Sequence, residues 1–205
     1  MNILLLNASP NERGSTGQAL GIIANIVTRG GASVETVWLG GAPISDCVAC
    51  GGCRTSGECV FRDAVNLFAK KAEAADGFIF ASPVYYGHPT ASLLAFLDRL
   101  FRSASASLRH KPAAAVFTLR RAGSAGALDA VNRHFLMAEM PIVSSTYLNH
   151  AFSEGGKIEK DLEGIATLEN LAKNMLWLIR SINCGRAAGV LPPENSAPRT
   201  GFLAR

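Results

Sequence analysis

The sequence predicts a doubly wound α/β fold with three layers and a parallel sheet of five strands. Short apolar runs such as residues 3–6 and 77–81 are continuous, as in strands that are buried on both faces. Between such runs lie segments with apolar residues at helical spacing. Parallel neighbours need crossover helices of this kind. With 205 residues, 48% of them hydrophobic, the chain suits one domain with its own core.

The apolar patterns place each element in turn. Strands are expected at residues 3–6, 33–39, 77–81, 113–118 and 141–148. Helices are expected at residues 17–28, 60–75, 90–103, from 124 to about 137, and 161–182. The second strand alternates apolar and polar residues, which indicates a place near a sheet edge. In the last helix, a stripe of four residues is predicted to face the core: Leu171, Met175, Trp177 and Leu178.

Composition limits the class of protein. The net charge of +4 comes from scattered basic residues, whereas nucleic-acid binding needs a basic stripe. Neither a membrane span of roughly 18 apolar residues nor a signal peptide is visible, so we expect a cytoplasmic protein.

The main domain is predicted at residues 1–188. An arm at 189–205 is expected to extend across a partner subunit or to fray.

The loop after the first strand, residues 7–16, is rich in hydroxyl and amide side chains. It leads into a helix, whose first turn carries unpaired backbone N–H groups and a partial positive charge. The loop lacks the glycine pattern of dinucleotide sites and the Gly-Lys-Ser/Thr ending of nucleoside-triphosphate loops. It therefore predicts a phosphate site, with an ordinary helix cap as the alternative. The predicted ligands are Ser9, Asn11, Ser15 and Thr16.

Two further loops leave the carboxyl ends of strands, where ligands bind in doubly wound sheets. Residues 83–88 supply two aromatic rings and a glycine, and residues 119–124 supply two guanidinium groups and a glycine. A phosphate joined to a flat, electron-accepting ring would use all three loops, and FMN fits this description. Arg120 or Arg121 near the polar edge of the ring would raise the flavin potential. The alternatives are that Tyr85 and Tyr86 are core or interface residues and that the arginines lie in a solvated loop.

These motifs resemble the NAD(P)H-dependent FMN reductase branch of the flavodoxin-like superfamily. The resemblance rests on residues 7–10, 14–16 and 82–87 in this order, and it extends to about residue 182. It implies strand order 2-1-3-4-5, an FMN-binding domain and NAD(P)H as electron donor. Asn11 stands where many members have arginine, and Arg62-Asp63 where relatives often have two acids. The ring is expected beside Pro83, Val84, Tyr85, Tyr86 and Gly87, with its far edge at Arg121, Ala122 and Gly123.

A cysteine-rich insertion is predicted at residues 43–60. Four of the five cysteines lie within thirteen positions, Cys47, Cys50, Cys53 and Cys59, with glycines that let the backbone fold tightly around a shared ligand. In a reducing compartment this spacing indicates a metal, a cluster or redox chemistry rather than disulfides. The stretch resembles the iron–sulfur flavoproteins, which implies a [4Fe–4S] cluster. A structural Zn²⁺ and free or redox-active thiols are the alternatives. The fifth, Cys184, is expected to be buried.

The leading hypothesis is an FMN-dependent oxidoreductase. NAD(P)H would deliver hydride to flavin N5, and the flavin would reduce a quinone, azo compound, free flavin or protein. No side chain is assigned a catalytic role. The alternative is an electron carrier that relays electrons between FMN and a [4Fe–4S] cluster, and a third is a metal-binding or regulatory module without flavin. The resemblance also implies a homodimer or homotetramer.

Overall fold

The structure is a computed structural model that describes residues 1–196. The strands are β1 (Asn2–Asn7), β2 (Ser33–Trp38), β3 (Gly77–Pro83), β4 (Ala113–Leu119) and β5 (His150–Phe152). The helices are α1 (Ser15–Arg29), α2 (Cys53–Ser56), α3 (Ala64–Glu73), α4 (Ala91–Ser103), α5 (Ser105–Leu108), α6 (Ser124–Met137) and α7 (Leu162–Ala187). All strand pairs are parallel, and the sheet order is β2-β1-β3-β4-β5. The predicted fold class is therefore confirmed.

The sheet separates two apolar cores. Along β1, Ile3 and Leu5 pack on the side of α1 and α7, whereas Leu4 and Leu6 pack on the side of α3, α4 and α6. All four side chains are almost fully buried. Burying each stabilises the fold by about 1.5–3 kcal/mol. This two-sided burial explains why the strand is a continuous apolar run.

Strand β2 is an edge strand, as its alternating pattern predicts. It pairs only with β1 in the sheet order, and Val37 is its one buried residue. Because one side of β2 has no neighbouring strand, its solvent-facing positions carry polar residues such as Glu35.

The predicted fifth strand at 141–148 is wrong, because the strand begins only at His150. Within the predicted segment, Ile142 forms one isolated bridge with Ala113. The Ser145 hydroxyl then bonds to the Tyr147 carbonyl and the Asn149 side-chain oxygen, both at 2.7 Å. Such local hydroxyl bonds compete with a β ladder and turn the chain before it reaches the sheet.

Two expectations for the last helix are also wrong. Leu171 and Met175 are fully buried, but Trp177 is 67% exposed. Two residues span about 200° of helix, so Trp177 lies on the face opposite Met175. Cys184 is exposed rather than buried. The helix also continues to Ala187, five residues beyond the predicted end at 182.

The first part of the predicted arm lies against its own chain. The Asn195 amide donates to Glu139 at 2.8 Å, and Arg109 donates to the Asn195 carbonyl at 3.1 Å. Residues 197–205 of the predicted arm lie outside the described residues. None of the helices in the described part of the chain has the length and apolar character needed to cross a membrane.

Candidate functional site

Three loops meet at the carboxyl edge of the sheet, as predicted. Because β1, β3 and β4 are parallel neighbours, their following loops emerge side by side. Hydrogen bonds to Thr118 at the end of β4 tie them together. Its hydroxyl shares a bond of 2.8 Å with Thr16, and its carbonyl accepts from Val84 N–H at 2.9 Å.

The start of α1 is open to an anion. Gly14 occupies the N-cap position, no side chain caps the helix, and the first turn contains no acidic residue. The backbone N–H groups of the first turn therefore lack the usual side-chain acceptor, and the helix dipole favours a negative charge there. A Cβ on Gly17 would lie 2.1 Å from the Glu12 carbonyl oxygen. Any other residue at this position would therefore clash with the loop backbone.

The predicted phosphate ligands surround this helix start, but their hydroxyl groups already have partners. Ser9 is buried, and its Oγ accepts from Asn11 N–H at 3.2 Å. Thr16 is 1% exposed with its hydroxyl bonded to Thr118, while the Ser15 hydroxyl lies 2.6 Å from Ser153 Oγ. The Asn11 side chain is exposed. Because the Ser9 hydroxyl only accepts in this contact, its own O–H can still donate to an anion alongside the backbone N–H groups of the helix start.

The loop after β3 is a tight hairpin that presents two tyrosines. Tyr85 and His88 exchange backbone hydrogen bonds at 2.8 and 3.0 Å. Tyr86 and Gly87 between them both have positive φ, 52° and 80°, which is the geometry of a two-residue hairpin turn. A positive φ is strained for tyrosine, and Tyr86 is fully exposed. Neither tyrosine is a core residue, so the alternative that they lie in the core is excluded.

The loop after β4 packs backbone to backbone against this hairpin. A Cβ on Gly123 would lie 2.7 Å from the Gly87 Cα and 3.2 Å from Val84 Cγ1, and Gly123 has a φ of 106°. Both its conformation and its surroundings therefore require glycine. The contact holds three exposed residues beside the hairpin: Arg120, Arg121 and Ala122.

A basic cleft adjoins the same edge, and sequence reasoning missed most of it. The cleft has a volume of about 420 Å³ and is lined by four basic residues, Arg120, Arg121, Lys157 and Lys160, and by two acidic ones, Glu154 and Asp161. Lys160 pairs with Glu154 at 3.2 Å. The far wall of the cleft is the segment after β5, which Gln18 of α1 holds in place. The Gln18 amide donates to the Gly156 carbonyl at 2.9 Å and accepts from Ile158 N–H at 3.3 Å. The only sign of this wall in the sequence is the Gly155-Gly156 pair, which predicts a turn but not a cleft.

The cysteine-rich segment forms a second candidate site. A small cavity of about 20 Å³ is lined by all four clustered cysteines: Cys47, Cys50, Cys53 and Cys59. All four are free thiols. Nowhere in residues 1–196 do three His, Cys, Asp or Glu side chains converge closely enough to hold one metal ion. A [4Fe–4S] cluster instead takes one thiolate on each of four irons and spreads its ligands further apart. The four thiols therefore match the donor set of a cluster, although the cavity itself is only large enough for about one water molecule.

A buried arginine of α4 joins this segment to the domain. Arg99 is 1% exposed and forms a two-bond ion pair with Asp63, at 2.7 and 2.9 Å. Its Nε donates to Cys59 Sγ at 3.2 Å. Burial lowers the pKa of Arg99, but the bonds to Asp63 and Cys59 outweigh burial and raise it, so the guanidinium stays charged. Sequence reasoning missed Arg99, since nothing in the sequence places it beside the cysteines.

Comparisons with known proteins find relatives that cover nearly all of the chain. The family model described as NADPH-dependent FMN reductase matches residues 1–154. An iron–sulfur flavoprotein of Methanocaldococcus jannaschii is 27% identical over 89% of this chain and 99% of its own length. One of Methanosarcina thermophila is 28% identical over 91% and 99%.

The fold also matches solved flavoprotein structures. RosB with bound 8-demethyl-8-formylriboflavin-5'-phosphate superposes with a TM-score of 0.70 at 15% identity, covering 100% of this chain and 92% of RosB. At that identity the likeness supports the fold alone. The family model, in contrast, covers most of the chain, including all three loops at the sheet edge. The chain therefore belongs to the NADPH-dependent FMN reductase family, whose members are FMN-binding flavoprotein oxidoreductases with a flavodoxin-like fold.

Proposed function

We propose that the protein is an iron–sulfur flavoprotein, an electron-transfer oxidoreductase with FMN at the carboxyl edge of the sheet and a [4Fe–4S] cluster on four cysteines. The observation that carries this proposal is the single cavity lined by Cys47, Cys50, Cys53 and Cys59. The family membership supplies the flavin, and the two archaeal relatives that match over 99% of their length are named iron–sulfur flavoproteins.

The FMN phosphate would sit at the start of α1. Backbone N–H groups of Ser15, Thr16 and Gly17 would donate to it, with Ser9 and Asn11 at its rim. Gly14 leaves this helix end without a capping side chain, and the first turn has no carboxylate to repel an anion. The FMN-binding unit is accordingly residues 1–188.

The flavin ring would lie beside the hairpin of residues 83–88 and the loop of residues 120–123. Tyr85 and Tyr86 are exposed there as walls for a flat ring, and Gly123 lets the two loops approach closely. FMN supplies hydride and single-electron chemistry when bound. Arg120 and Arg121 would stabilise negative charge at the ring edge, which favours the reduced flavin.

At the second site, the four cysteines would each supply one thiolate. The cluster supplies single-electron transfer when bound. Because the thiols must stay reduced to act as ligands, a cytoplasmic location suits the protein.

We also propose a homodimer or homotetramer, since Tyr86 is a fully exposed aromatic residue in a strained turn beside the flavin site. Light scattering of the purified protein tests this; a monomer would contradict it.

A second candidate function is oxidation of NAD(P)H with transfer of electrons to a quinone, azo compound, free flavin or protein acceptor. The observation that favours it is the basic cleft beside the flavin site. Arg120, Arg121, Lys157 and Lys160 line this cleft and would attract the phosphates of a dinucleotide. The description of the family as NADPH-dependent supports the same donor.

Anaerobic purification followed by flavin and iron analysis tests the main proposal. We expect one FMN and about four irons per chain, with broad visible absorption beneath the flavin bands. The Cys50→Ser variant should lose iron and keep FMN, and Cys184→Ser is the matched control that keeps both. FMN without iron in the wild-type protein would contradict the cluster. Steady NAD(P)H oxidation with a quinone acceptor tests the second candidate separately.

A further inference from the structure

Every donor of Arg99 is bonded, either to the cysteine-rich segment or to Phe61 and Asp63 just after it. A guanidinium group carries five N–H donors. The two nitrogens at its tip each bond to Asp63 and to one backbone carbonyl, of Ser45 at 3.3 Å and of Phe61 at 3.2 Å. The remaining donor, Nε–H, bonds to Cys59 Sγ at 3.2 Å. The guanidinium carbon also lies 4.9 Å from the centre of the Phe61 ring.

This network fixes the direction of the Nε–H group. Arg99 is 1% exposed, so water does not compete for its donors, and Asp63 is held in turn because it accepts from Val65 N–H at the start of α3. A rotation of the guanidinium would leave a buried positive charge without its carboxylate, which costs more than any gain elsewhere. The donor to Cys59 is therefore held in place before any ligand binds.

A fixed donor on a cysteine sulfur has a predictable electrical effect. Reduction adds negative charge to a cluster and its thiolate ligands. A hydrogen bond to the sulfur is stronger in the reduced form, which raises the reduction potential. Of the two arginines that line the cysteine cavity, Arg102 is exposed, and only Arg99 donates to a sulfur within the described chain.

We propose that Arg99 is a positioning residue that holds Cys59 as a cluster ligand and raises the reduction potential of the cluster through its Nε–H bond to the sulfur. This proposal rests on the proposed [4Fe–4S] site. Asp63 supports it from the other side by fixing the guanidinium. Arg99 thereby links the redox property of the cluster to the packing of α4 against α3.

The test compares Arg99→Lys with Arg102→Lys in anaerobically purified protein. Both changes keep the charge and lie on the same helix beside the same cavity, but only the first removes the fixed Nε–H group that bonds to Cys59 Sγ. We expect the Arg99 variant to favour the oxidised cluster about tenfold, a fall of about 59 mV for a one-electron couple in an EPR-monitored titration. The Arg102 variant should keep the wild-type potential. Equal potentials in all three proteins, each with iron bound, would overturn the role of Arg99.

A measurement on the wild-type protein decides the matter if Arg99→Lys does not fold. With ¹⁵N-labelled arginine, ENDOR spectra of the reduced cluster should show coupling to one guanidinium nitrogen and its exchangeable proton. This coupling should persist in Arg102→Lys. Its absence from the wild-type spectrum would overturn the proposal, whereas wild-type protein without iron would instead overturn the proposed function on which it rests.

Discussion

At the scale of single residues, the proposed phosphate site combines the backbone of a helix start with hydroxyl side chains that already contact the protein. The hydroxyls of Ser9, Ser15 and Thr16 all have protein partners, yet the N–H groups of the first turn of α1 have no capping side chain. Asn11 is one of four exposed residues in this loop, with Pro10, Glu12 and Arg13. In the proposed site, Asn11 stands where many members of the family have a positively charged arginine.

The first prediction follows from that missing charge. We expect Asn11→Arg to tighten FMN binding by about 0.3–1 kcal/mol, because an exposed guanidinium beside a phosphate gains only a modest, screened attraction. Fluorescence quenching titrations measure the affinity. Riboflavin is the matched control ligand, since it has the ring without the phosphate. Equal gains for FMN and riboflavin would place the phosphate elsewhere.

Gly123 gives a second prediction at the same scale. A methyl group there would lie 2.7 Å from the Gly87 Cα, and the φ of 106° is unfavourable for any other residue. Gly123→Ala should push the two ring loops apart, with a loss of about 1–3 kcal/mol in stability and weaker FMN binding. Thermal unfolding with and without FMN measures both effects. Gly21→Ala is the control, because a Cβ there meets open space; equal effects of the two changes would contradict the prediction.

At the scale of elements, Asp63 joins two helices and the cysteine segment. Its carboxylate caps α3 through Val65 N–H and pairs with buried Arg99 of α4. Sequence analysis marked Arg62-Asp63 as a departure from relatives without assigning it a role. The structure shows that the aspartate is the counterion of the only fully buried arginine among the described residues.

We therefore predict that Asp63→Ala destabilises the fold by about 3–5 kcal/mol, since it leaves a buried guanidinium without its partner and removes a helix cap. Urea unfolding gives the free energy. Glu35→Ala is the control, because Glu35 pairs with Lys71 at the surface, where such pairs contribute about 0–1 kcal/mol. A loss of similar size in the two variants would refute the role of Asp63.

At the scale of the whole molecule, stability depends on a histidine in the last strand. His150 lies between the rings of Tyr147 and Phe152, at 5.7 and 5.2 Å, and is 8% exposed. Burial lowers its pKa from 6.5, with smaller opposing effects of Asp161 and Glu163. Within this pocket the neutral imidazole is the form that the fold accommodates.

The pH dependence follows from that shift. Below pH 6.5 the unfolded chain binds a proton that the folded chain resists, so the free energy of unfolding should fall as the pH falls from 6.5 toward the lowered pKa. The slope for one proton is at most about 1.4 kcal/mol per pH unit. His150→Phe should remove this dependence, as measured by urea unfolding at several pH values. His88→Gln, at an exposed position, should retain it; an unchanged slope in His150→Phe would contradict the assignment.

Much of the architecture could be predicted because it depends on local patterns. Continuous apolar runs identified β1, β3 and β4, and helical spacing identified α1 and α4, since burial on a sheet or helix face selects these periods. The fifth strand was misplaced because an apolar segment with serine and threonine suits both a strand and a hydroxyl-bonded turn. Trp177 was assigned to the core in error, because its place two residues after Met175 puts it about 200° around the helix, on the opposite face.

The sequence by itself determined four of the five strands, the helix start that suits a phosphate, and the four cysteines that suit a cluster, because each depends on neighbouring residues. Only the tertiary structure brought Arg99 to Cys59, forty positions away along the chain, and Ser153 to the start of α1. Contacts between distant residues depend on how the crossover helices pack on the sheet, and no local period records that packing. The loops predicted FMN as the ligand, whereas only the packing of α4 placed Arg99 beside Cys59.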